Sequence, residues 1–109
     1  MATDKSTIEY ILNQLSTLDN VNARKMFGEY ALYYDRKVVG LVCDDTLFIK
    51  ITDLGKKFVD HNYQEGYAYK GAKPSMLINE ELIENSEWLC QLIRITANSL
   101  PIPKTKKGI

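Results

Sequence analysis

Five residues set charge or a phenol into strand-like surroundings: Arg24, Glu29, Tyr33, Lys50 and Tyr69. Arginine offers a planar fork of donors and lysine a compact point charge. Arg24 and Lys50 brought side by side would therefore hold a small anion or a carboxylate. With Tyr69 beside them, such a patch would make the chain a small-anion ligand-binding or enzymatic domain. The blander expectation, and the favoured one, is that both cations pair across strands with Glu29, Asp44 or Asp45. Each such pair contributes about 0.2–1 kcal/mol.

The remaining reactive types are poorly placed. Asp44 and Asp45 are adjacent carboxylates, but neighbours on a strand face opposite ways, and acidic residues of this kind suit a turn. His61 is the one histidine. It has no evident partner for a nucleophile–base pair, and its cationic form suits a helix C-terminus. Lys70-Gly71-Ala72-Lys73 lacks the spacing of a phosphate-binding loop. Cys43 and Cys90 are the only cysteines, form no CxxC, and read as free thiols packed as small hydrophobes. No catalytic residue, cofactor site or metal site is expected.

The elements that must position these residues can be read from spacing. Ser6-Thr7-Ile8-Glu9 has the form of a capping box, predicting a helix from Ser6. Ile8, Ile11, Leu12, Leu15 and Leu18 give it one apolar stripe. Val21–Lys25 leads into a first strand, with Gly28 marking a bulge, a bend or a close backbone approach. Glu29–Tyr34, Lys37–Cys43 and Thr46–Ile51 follow as strands, joined at Asp35-Arg36 and Asp44-Asp45 by two-residue turns. In the last of these, Leu47, Ile49 and Ile51 share one face, and Phe48 and Lys50 the other. Thr52 or Asp53 starts a helix to about His61, with Leu54, Phe58 and Val59 inward. Gln64-Glu65-Gly66 breaks the chain, Tyr67–Tyr69 forms a short edge strand, and Ser75–Ile78 forms the last strand. Asn79 caps a helical turn. Ser86 starts a final helix through Asn98, which Pro101 and Pro103 stop. Strands grouped apart from helices predict an α+β fold: an antiparallel meander packed in two layers against N-terminal, middle and C-terminal helices.

The chain has 109 residues, the length of one domain. Net charge is zero, but residues 1–100 hold 11 basic against 14 acidic side chains. Lys104, Lys106 and Lys107 give the tail, 101–109, a charge of +3. An acidic body disfavours direct nucleic-acid binding. Tyr30, Tyr33, Tyr34, Tyr63, Tyr67 and Tyr69 therefore suggest a protein interface, with a partner or a second copy, rather than base stacking. No run approaches the ~20 apolar residues of a membrane span. The N-terminus is not a secretory signal, so the expected compartment is the cytoplasm.

Several segments together resemble a known family. They are Arg24-x-Met26-Phe27-Gly28, Leu32-Tyr33 before Asp35, and Leu41-Val42-x-Asp44-Asp45-x-Leu47-x-Ile49-Lys50. Phe58, Tyr69 and the Glu80-Glu81-Leu82…Trp88-Leu89 run extend the likeness from about residue 5 to 100. The chain resembles the N-terminal domain of the TfoX (Sxy) regulators of natural competence. It departs at Glu29, where a second glycine is usual, and at Arg36, where glycine is common. The resemblance implies a compact α+β domain similar to secretion-chaperone-like folds, often homodimeric. It also implies a non-enzymatic regulatory and protein-interaction role, linked indirectly to the transcription machinery through a cyclic-AMP receptor type factor. It further implies a stand-alone N-terminal domain over 1–100, without the family's C-terminal helix-hairpin-helix-type domain.

Overall fold

The computed structural model describes residues 3–101. The basic tail at Lys104, Lys106 and Lys107, and Pro103, lie outside the described residues. The chain runs α1 (Lys5–Gln14), β1 (Val21–Met26), β2 (Glu29–Tyr34), β3 (Lys37–Cys43) and β4 (Thr46–Ile49). It continues through α2 (Asp53–Val59), a 3-10 turn (Asp60–Asn62), β5 (Glu65–Gly66), β6 (Ser75–Ile78), α3 (Glu80–Glu84) and α4 (Ser86–Ser99). The strands form one antiparallel sheet in the order β1-β2-β3-β4-β6-β5. The expected α+β meander with its helices on one layer is the observed architecture.

Three two-residue hairpins build the first four strands. Phe27-Gly28, Asp35-Arg36 and Asp44-Asp45 all have positive φ at both positions, the type I′ signature whose twist matches that of paired strands. Gly28 is thus a turn residue at φ 82°. The bulge lies elsewhere: Leu32 pairs with Gly40 but Tyr33 pairs with Val38, so Val39 is the extra residue. That insertion turns both Val39 and Val42 into the core, where both are fully buried.

The core lies between the sheet and the helices. Ile8, Ile11, Leu15 and Leu18 of the N-terminal segment meet Leu32, Val39, Val42, Leu47, Ile49, Met76 and Ile78 of the sheet. Leu89, Leu92 and Ile93 of α4 close it. Phe58 of α2 stacks on Trp88 of α4 with ring centroids 5.4 Å apart. Lys37 donates its ammonium to the Ala97 carbonyl at 2.8 Å, joining the sheet to the last turn of α4, where a cation is favoured.

Local signals decide the helix starts, with one exception. Thr52 Oγ1 accepts from the Gly55 N–H at 3.0 Å, Asn79 from Leu82 at 3.0 Å, and Asn85 from Trp88 at 3.1 Å. The capping box expected at Ser6 does not form. The helix begins a residue earlier, after Asp4, with no cap from that residue's own side chain. Instead the distant Asp45 carboxylate accepts from the Asp4 N–H and the Thr7 hydroxyl, both at 2.8 Å. Two further expectations are corrected. Leu54 is 59% exposed rather than inward, because buried Gly55 and Val59 make the inner face of α2. The edge strand is Glu65–Gly66, not Tyr67–Tyr69. At Gly66, a Cβ would come within 3.1 Å of the Phe48 ring, so the backbone there lies close over Phe48 and places the pairing before Tyr67.

Candidate functional site

Strand alternation gives the sheet a second face, away from the helices. Register places Arg24 with Ala31, Met26 with Glu29, Ala31 with Leu41, Leu41 with Phe48 and Phe48 with Leu77 on that face. Ala31, Cys43 and Phe48 are buried there, yet they stand apart from the helix-side core. Their neighbours include Gly66, close over Phe48, and the segment after it. The 68–75 segment and Tyr69 share a hollow of about 650 Å³ with Gly40, Leu41 and Lys50.

Between that segment and the β1–β2 hairpin tip the face stays open. The opening is an apolar groove of about 650 Å³ lined by Met26, Phe27, Glu29, Tyr30, Leu41, Cys43 and Tyr69. Its rims are unusually exposed for their type: Phe27 is 102% exposed, Met26 45% and Tyr69 60%. Phe27 also sits at φ 51°, a conformation costly for a bulky side chain.

One end of the groove is fixed by a hydrogen-bonded clasp. Thr3 donates its hydroxyl to Glu29 at 2.5 Å and accepts from the Asp45 N–H at 3.2 Å. The Asp44 N–H donates to the same Glu29 oxygen at 3.1 Å, and the Thr3 N–H donates to the Gly28 carbonyl at 3.1 Å. Glu29 is thus held in place by the chain start and the β3–β4 turn. Burial first, and the Glu29 charge second, push the Cys43 thiol above its ordinary value. The thiol form is favoured, which makes Cys43 a poor nucleophile at neutral pH.

The structure divides the five sequence-predicted residues. Glu29 and Tyr69 line the same groove. Lys50 and Tyr69 share the neighbouring hollow. Arg24 is separated from Lys50, because β2 and β3 lie between β1 and β4. Its guanidinium instead lies over the Tyr33 ring at 5.8 Å from the centroid. The expected cross-strand ion pairs do not form: among the described residues the recorded acid–base contact joins Asp60 to His61, at 3.6 Å and solvent-exposed. Asp44 and Asp45 are turn residues, as their type suggests. Sequence reasoning missed Phe27, Met26 and Leu41 as rim and floor. The signal was present in an aromatic directly before a turn glycine.

Comparison with known proteins settles the relationship. The TfoX N-terminal domain model matches residues 13–99. The chain belongs to the TfoX N-terminal domain family. A relative within reach of this TfoX N-terminal domain is an uncharacterized 12.7 kDa protein in the trpE 5′ region of Spirochaeta aurantia. It is 40% identical over 108 residues, covering 99% of this chain and 92% of that protein. Protein Sxy of Escherichia coli (strain K12) is 27% identical over 96 residues, covering 86% of this chain. This TfoX N-terminal domain spans 46% of Sxy. Among the described residues no helix is long and apolar enough to cross a membrane.

Proposed function

We propose that this chain is a non-enzymatic regulatory module that acts in the cytoplasm by binding a protein through the apolar groove. The observation that carries the reading is the pairing of a preformed apolar groove with a fully exposed, conformationally strained Phe27 on its rim. Strain and exposure together cost stability and are retained where a site uses them. A large aromatic on a rim is the kind of anchor that dominates protein interfaces. Family membership supports a regulatory role, and the relation to Sxy supports a role beside a competence regulator and, indirectly, the transcription machinery.

The cations flanking the groove favour an acidic partner segment. Exposed Arg24 lies on the β1 side, and exposed Lys70 and Lys73 flank Tyr69 on the other. An apolar anchor bordered by acidic residues fits between them. The test is capture from nuclease-treated lysate with the natural chain, with Phe27→Ser/Tyr69→Ser, and with Arg24→Glu/Lys50→Glu. A stoichiometric protein is expected on the natural chain and lost from the Phe27→Ser/Tyr69→Ser bait. A partner held equally by the natural chain and the groove variant would overturn the reading.

A further inference from the structure

The groove has a neighbour of similar size and different character. Leu41 and Tyr69 line both the groove and the hollow beside it, so the two recesses adjoin. Among the described residues the groove is lined by one carboxylate, Glu29, and by no cation. The hollow is lined by two cations, Lys50 and Lys73, and by no carboxylate. Among the described residues neither lysine has a carboxylate within ion-pair distance. Local structure places both. Lys50 directly follows β4, where its N–H donates to the Val39 carbonyl at 2.9 Å. Two residues after Phe48, it stays on the outer face of the sheet. The Ala72 N–H donates to the Tyr69 carbonyl at 3.0 Å. This closes a turn in which Gly71 takes a φ of 89°, a conformation glycine adopts without strain. Tyr69 starts that turn and Lys73 comes just after it, so both border one recess.

We propose, resting on the reading of the groove as a protein-binding site, that the hollow is the second half of that site. It receives carboxylate side chains of the same partner segment whose apolar side chain fills the groove. Its volume of about 650 Å³ has room for such groups. An ammonium on a flexible stem meets a carboxylate as a point charge and does not demand one angle of approach. Charge then orients the occupant. An acid in the groove meets the Glu29 carboxylate and no cation, whereas in the hollow it meets two cations and no carboxylate. The apolar lining of the groove gives an aliphatic or aromatic anchor the opposite preference. Arg24 lines neither recess and lies over the Tyr33 ring, so the lysine pair is the cation set with a cavity beside it. The partner motif is thereby narrowed from an anchor with acids anywhere near it to one whose acids fall on the Tyr69 side.

Two pools of fluorescent synthetic peptides serve as probes. Each peptide of the first carries a central phenylalanine or leucine with a pair of aspartates a few positions to one side. The second pool has asparagines in their place. Binding is read by fluorescence anisotropy at physiological salt. The natural chain is expected to bind the aspartate pool about tenfold more tightly than the asparagine pool. Lys50→Gln/Lys73→Gln changes exposed residues that line only the hollow. It is expected to remove the preference and leave the asparagine pool unchanged. Met26→Ser/Phe27→Ser touches only the groove and is expected to weaken both pools. Arg24→Gln is expected to leave the preference intact. A natural chain without the preference, a preference that survives the lysine changes, or one lost with Arg24→Gln would overturn the inference and leave the groove reading standing. So would benzoate displacing the aspartate pool as well as an unlabelled aspartate peptide does, since the hollow would then be a small-carboxylate site. A chain that binds neither pool, or binds both regardless of Met26→Ser/Phe27→Ser, would overturn the groove reading and this inference with it.

Discussion

Phe27 concentrates the tension between stability and function in one side chain. Left-handed backbone costs an L-residue roughly 1–2 kcal/mol, and this ring recovers nothing by burial, since it is fully exposed. Asparagine tolerates that backbone and precedes glycine in the favoured type I′ turn. Phe27→Asn is therefore expected to stabilise the chain by about 1 kcal/mol, read as a higher urea midpoint at unchanged slope, while weakening partner capture. The neighbouring turns illustrate what residue types alone convey. Asp35-Arg36 and Asp44-Asp45 were legible as turns because aspartate accepts positive φ, and both do so, at 51°. At Phe27 only the following glycine gave a signal, and it fitted a bulge as well as a turn. The partners of Arg24 and Lys50 were not legible at all. Local sequence says which groups are charged, whereas strand order decides which of them meet.

At the scale of the element, β3 shows where periodicity fails. Strict alternation along Lys37–Cys43 would set Val39 and Val42 on opposite faces. Both are fully buried in the helix-side core, because the bulge at Val39 reverses the phase midway. The next residue, Gly40, meets β4 so closely that a Cβ would lie 2.2 Å from the Phe48 carbonyl oxygen. That contact is with backbone, so no side chain can swing aside. Gly40→Ala is expected to cost about 2–4 kcal/mol, measured by chemical denaturation, with lost protection at the Gly40–Ile49 pairing. The helices were more readable, because apolar spacing and Asn or Thr caps are local. The helix start that was misread is that of α1, where Asp45, 38 residues from Thr7, replaces the cap that Ser6-x-x-Glu9 advertised.

Across the whole molecule, most strand neighbours are also sequence neighbours. β1 to β4 pair in order through two-residue turns, and only β4–β6 skips a strand. Local pairing of this kind favours rapid folding and is what made the fold class readable from turn spacing. The groove was not readable, since it needs the 67–74 segment to settle over the far face, and nothing local announces that. The clasp is the longest-range polar feature of this end of the domain, joining Thr3 to Glu29 and Asp45. Thr3→Val keeps the shape but removes both bonds, and is expected to cost about 1–2 kcal/mol. A lowered melting temperature, together with faster amide exchange at Asp44 and Asp45, would register it.

The clasp also fixes where added polypeptide would leave the domain. Thr3 is buried against the Glu29 that lines the groove, so a tag or fusion joined ahead of it emerges at the groove's mouth. Α linker there would act as a tethered competitor at high local concentration. Labels and display fusions intended to leave binding intact therefore belong away from Thr3.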